Sequence, residues 1–156
     1  MSRTQLLDPE VGRAMSALGV AAKKGLGDPA LAELVMIRAS QINHCAFCLD
    51  MHLRVARDNG EPEDRVGLLD AWEETEGLYS ERERAALALT EAVTVLTGGA
   101  SRTGSGGAFV PDEVYDRAAR LFTEAELAHL TGLITVVNGW NRLMVSRRVA
   151  PGGYRP

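Results

Sequence analysis

Cys45 and Cys48 stand in a Cys-x-x-Cys, His52 follows four residues later, and Glu33 lies twelve residues upstream of Cys45. These are both cysteines of the 156-residue chain, and His44 and His52 are two of its three histidines. A helix turns about 100° per residue, so a helical segment from Cys45 carries Cys45, Cys48 and His52 on one face within roughly 60°. Neighbours three or four apart have Cβ atoms roughly 5–6 Å apart, close enough for a disulfide after modest adjustment and for a Cys48–His52 acid–base contact. Which thiol reacts is left open by these residues. A helix start stabilises a thiolate and favours Cys45, whereas the spacing to His52 favours Cys48. A zinc site could draw on Cys45, Cys48, His52 and either His44 or Glu33, but structural zinc sites usually use two separated ligand pairs, so redox chemistry ranks above it. The bland alternative is a pair of small buried hydrophobes near a helix start.

Length and composition fit one domain over residues 1–156, large enough to bury a core. Hydrophobic residues make up 46% and charged residues 24%, and the net charge of −4 argues against a nucleic-acid binder, which would show a basic stripe. The arginines are spread out apart from Arg142, Arg147, Arg148 and Arg155, which gather near the C-terminus and suit a helix end that favours cations. No run reaches the ~18 apolar residues of a membrane span. Met1–Gly12 carries Asp8, Pro9 and Glu10 where a secretory signal needs an apolar run, so the expected location is cytoplasmic. In that compartment a Cys-x-x-Cys points to redox or metal chemistry more than to a structural staple.

The elements that must position these residues read as helices. Val11, Met15, Leu18 and Ala22 recur at helical spacing over Glu10–Lys24, with Gly25 as the expected C-cap. Asp28–Pro29 reads as N-cap and first helical residue of a helix to about Ile42, which carries Glu33 among Leu31, Leu34, Val35 and Ile37. The next helix is expected from about Cys45 to Asn59–Gly60, and a short one follows Glu61–Pro62 with Val66, Leu68, Leu69 and Trp72. Ser80-x-x-Glu83 and Thr123-x-x-Glu126 are capping boxes, opening helices that run through Leu96 and to about Arg148. Pro111 starts a helix to about Phe122, the Gly/Ser-rich stretch over about 98–108 is expected to be a mobile loop, and Pro151–Pro156 is expected to be frayed or to lie on a neighbouring subunit. No strand-like alternation intervenes, so the fold class is all-α.

Four further residues compete for attention. His129 sits in a helical pattern and reads as a surface or core residue. Asn138-x-Trp140-Asn141 interrupts an apolar stretch; Trp140 reads as a packing anchor at an oligomer interface, and the asparagines could line the pocket beside the cysteines.

Glu33, Ser40–Gln41–Ile42–Asn43, Cys45-x-x-Cys48 and His52 resemble the core motif of the alkylhydroperoxidase D (AhpD) / carboxymuconolactone decarboxylase family. Arg84–Glu91 and Asn138–Arg142 resemble the rest of the pattern in its single-domain members. The resemblance implies an AhpD-like helical bundle, homo-oligomeric as a trimer or hexamer, working as a thiol peroxidase without a bound cofactor or metal. It implies Cys48 as the residue attacking a hydroperoxide and Cys45 as the one that resolves the sulfenic acid to a disulfide. It implies Glu33 and His52 as the proton relay, and a dithiol as reductant. One departure is plain: where alkylhydroperoxidase D has a relay histidine before the second cysteine, this chain has Phe47, whose ring cannot pass a proton. The alternatives are a non-redox enzyme of the same family, with His52 and Glu33 as acid and base, or a redox-sensing binding module.

Overall fold

The computed structural model describes residues 2–96 and 109–153; the loop expected over 98–108 lies outside them. Among the described residues seven α-helices are present: α1 (Pro9–Leu26), α2 (Pro29–Ile42), α3 (Ala46–Asp58), α4 (Glu63–Gly67), α5 (Glu81–Thr94), α6 (Asp112–Leu121) and α7 (Glu124–Arg147). Short 3₁₀ turns cover Arg3–Gln5 and Leu69–Glu74.

The helix starts follow from local chemistry. Asp8 and Asp28 each accept hydrogen bonds from backbone N–H groups in the first turn, ahead of Pro9 and Pro29. Both capping boxes form, with Ser80 and Thr123 accepting from the N–H groups of Glu83 and Glu126 while those carboxylates reach back. One ending differs from expectation. Helix α1 runs on through Gly25 to Leu26, and Gly27, in the left-handed region at φ 67°, is its C-cap. Gly25 serves packing instead, because a Cβ there would lie 2.0 Å from the ring of His129 on α7. His129 is half-buried against that gap, and its Nδ1 lies 2.6 Å from the carbonyl of Ala125.

Helix α2 is the centre of the fold. Its buried set runs round the whole helix, including Leu31, Leu34, Val35, Met36 and Ile37, as expected of a helix enclosed by others. Leu31, Val35 and Met36 join the larger core with Ala22, Leu130, Leu133, Ile134 and Val137. Leu34 and Ile37 join a second core with Ala56, Leu69, Trp72 and Leu87. Each such side chain contributes on the order of 2 kcal/mol over exposure. Polar ties lock the same helix: Arg38 pairs with Glu91 at 2.7 Å and with Asp70, and Trp72 Nε1 donates to the same Glu91.

Helix α1 packs along α7, but its expected apolar stripe is only half used. Ala22 is buried and Met15 partly so, whereas Val11 and Leu18 face outward with Val20. The C-terminal segment also departs from the expected frayed end over its described part, since the Gly152 N–H donates to Asp50 of α3 at 3.0 Å. No helix among the described residues is long and apolar enough to cross a membrane.

Candidate active site

The turn between α2 and α3 builds the thiol pair. Asn43 ends α2, His44 takes the left-handed conformation at φ 53° with its side chain exposed, and the chain re-enters a helix at Ala46 with Cys45 as N-cap. The Cys45 sulfur accepts from the Cys48 N–H at 3.3 Å, taking the capping place usually held by Ser or Asp. The two sulfurs are joined as a disulfide, with Cα atoms 5.3 Å apart, and both residues are buried. That separation lies in the ordinary range for such a bond.

The turn is held from behind by amides. Asn43 Nδ2 donates to Asn138 and Asn141 of α7, each at 2.9 Å, and Asn141 donates in turn to Ser40 at 3.0 Å. Asn141 is fully enclosed. The asparagines therefore do not line the cysteine pocket; they fix the α2–α3 corner from which Cys45 springs. Sequence spacing left their place open because these bonds join positions far apart in the chain.

Glu33, on the central helix, is 3% exposed and both its oxygens are engaged. Oε2 lies 2.8 Å from His52 Nδ1 and Oε1 accepts from Lys23 Nζ at 2.7 Å. Burial pushes the Glu33 carboxyl upward, but the hydrogen bonds and charges of His52 and Lys23 outweigh it and hold the group below its ordinary value. A proton on His52 Nδ1 suits an ionised Glu33, and when the imidazole is neutral this leaves Nε2 as its acceptor. Lys23 is the member that the sequence alone did not single out. The available signal was its place in the hairpin: Lys23 and Glu33 stand at similar distances either side of the Gly27–Asp28 turn.

A cavity of about 450 Å³ opens between α1, α3 and α7, with Cys48, His52 and Lys23 on its wall. The rest is mostly apolar, including Phe47, Met36, Met51, Trp140 and Val136. Cys45 is not on the wall. Trp140, half-buried against the core, is part of the cavity wall. Among the described residues no three His, Cys, Asp or Glu side chains gather as a metal site, and the His44 side chain is exposed.

A buried disulfide with Cys48 on a cavity wall, and a carboxylate-held histidine beside it, can support thiol–disulfide exchange and proton transfer. A sequence model of the carboxymuconolactone decarboxylase family matches residues 9–92, which include all four residues of the predicted site. The uncharacterized Bacillus subtilis protein YdfG is 40% identical over 114 residues, covering 73% of this chain and 71% of that one. The uncharacterized Escherichia coli protein YnjA is 31% identical over 112 residues, covering 71% of this chain and 55% of its own length. Among solved structures, a protein of unknown function from Agrobacterium tumefaciens, proposed to be the antioxidant defence protein AhpD, superposes with a TM-score of 0.80 at 31% identity, covering 94% of each chain. The debrominase Bmp8 superposes with a TM-score of 0.75 at 18% identity, covering 93% of this chain and 73% of that one, a likeness of fold alone. The all-α fold is AhpD-like.

Proposed function

The chain belongs to the carboxymuconolactone decarboxylase family, and from that premise we propose that it is a thiol-dependent hydroperoxide reductase. The observation that carries this reading is the shared wall: Cys48 and His52 face one apolar cavity, while Cys45 sits behind at disulfide distance. In the reduced protein His52 Nε2 takes the Cys48 proton, with Nδ1–H held by Glu33. The Cys48 thiolate attacks the terminal oxygen of the hydroperoxide, the O–O bond breaks, and the alcohol leaves with the proton returned by His52. Cys48 is then a sulfenic acid, which the Cys45 thiol attacks; the S–S bond forms and water leaves. A dithiol reductant returns two electrons by exchange through Cys48, the accessible sulfur.

The apolar wall suits an organic hydroperoxide better than hydrogen peroxide, since an alkyl chain gains from burial there. Assembly into trimers or hexamers belongs to the same proposal and is supported by Val11, Leu18 and Val20 exposed along α1. Light scattering tests it.

Counting free thiols before and after one equivalent of a small organic hydroperoxide tests the reaction. Loss of both thiols in the wild type, with none beyond background in Cys48→Ser, is the expected result. Survival of both thiols overturns it, and acid–base activity without the thiols would then favour the non-redox reading through His52 and Glu33.

A further inference from the structure

We propose that Lys23 is a positioning residue of the relay, holding Glu33 ionised so that His52 keeps the tautomer able to accept the Cys48 proton. This rests on the thiol chemistry proposed above, and deepens it by adding a member from α1.

Three observations carry it. Lys23 Nζ donates to Glu33 Oε1 at 2.7 Å while His52 occupies Oε2, so the carboxylate cannot rotate without losing a partner. The Glu33 side chain is 4% exposed and that of Lys23 43%, so the ammonium reaches from the solvent edge onto a buried acceptor. Lys23 also lines the same cavity as Cys48 and His52. An exposed ion pair would contribute little, but here one partner is out of water.

The consequence concerns a proton. Without Lys23, Oε1 is left unpaired in a buried place, and taking up a proton is the cheapest relief. A protonated Glu33 can donate to His52 Nδ1. The histidine then carries its own proton on Nε2 and cannot receive the one on Cys48. The charged and titratable groups gathered here are Lys23 from α1, Glu33 from α2, and Cys48 and His52 from α3. The α7 wall, Leu133, Val136, Val137, Trp140 and Met144, carries no charge.

The test reads thiol ionisation, not peroxide turnover, so it can fail independently of the proposed reaction. In a Cys45→Ser background Cys48 is the single thiol. Its alkylation rate by iodoacetamide is followed from pH 4 to pH 9 with Lys23, Lys23→Met and Lys23→Arg. The acid limb is expected to move up by about one pH unit in Lys23→Met, a roughly tenfold slower reaction on that limb, and to return close to its original place in Lys23→Arg. Superimposed profiles for Lys23 and Lys23→Met overturn the proposal, as does an arginine variant that behaves like methionine. A thermal melt identifies loss of the fold, and Lys23→Gln then replaces Lys23→Met as the neutral variant.

Discussion

Glu33 Oε2 and His52 Nδ1 lie 2.8 Å apart, joining the central helix to the helix that carries Cys48. Because α2 is enclosed all round, the carboxylate it contributes is dry, and a dry carboxylate stays ionised only through its partners. The pair thereby ties the helix that organises the core to the helix that carries Cys48.

Glu33→Gln is expected to slow Cys48 alkylation and hydroperoxide reduction at neutral pH by about 100-fold, the scale of a lost proton-transfer partner. It also changes the acid stability. A carboxyl held below its unfolded pKa stabilises the fold at every pH above the unfolded value, and that contribution is lost as pH falls through the folded one. Urea melts of the oxidised protein from pH 7 to pH 3 are expected to show a steeper loss below about pH 4.3 for wild type than for Glu33→Gln. Glu83, also lowered by Arg65, is common to both proteins and cancels in the difference. Equal slopes would show that Glu33 is not held ionised.

Cys45 has a second duty as N-cap of α3, its sulfur accepting from the Cys48 N–H. Serine can take the same bond and alanine cannot. In the reduced state Cys45→Ala is expected to be less stable than Cys45→Ser by about 1 kcal/mol in urea unfolding. Treated with an organic hydroperoxide, Cys45→Ser is expected to accumulate a dimedone-reactive sulfenic acid on Cys48, because the thiol that resolves it in the proposed reaction is gone. Mass spectrometry locates the adduct; an unmodified Cys48 would refute its role as the attacking sulfur.

Phe47 lines the cavity beside Cys48, where the resembling family pattern places a relay histidine. Phe47→His adds a proton carrier on the wall without touching Glu33, His52 or Lys23. Turnover of an organic hydroperoxide is expected to rise about tenfold. Steady-state peroxide consumption with a small dithiol checks it. A rate unchanged across pH 6 to 8 would mean that His52 alone already meets the need.

The local grammar of the chain was readable. Asp28–Pro29, Ser80 with Glu83, and Thr123 with Glu126 each signal a helix start through bonds made within three residues, and each forms. The partners Glu33 and His52 were legible as types at a spacing, since both fall on elements read correctly. Lys23, Asn43, Asn138 and Asn141 were not, because their bonds depend on how α1 and α7 lie against α2, which periodicity within one helix does not encode. Gly25 misled for a related reason. A glycine near a helix end suggests a cap, and only the neighbour across the interface shows that space was what the position required.

That space gives the sharpest structural test. Gly25 is helical, so alanine there should gain about 1 kcal/mol from helix propensity alone. A Cβ at this position, however, would lie 2.0 Å from His129 Cδ2 and 2.1 Å from Nε2, and the ring's Nδ1 lies 2.6 Å from the Ala125 carbonyl. The ring or the helices must therefore shift, and Gly25→Ala is expected to destabilise by about 1–3 kcal/mol. In a His129→Ala background the obstruction is gone, and the same substitution should become neutral or stabilising. The four proteins form a double-mutant cycle in urea unfolding, with an expected coupling of about 2 kcal/mol. Additive effects would mean that α1 and α7 do not meet at Gly25 and His129.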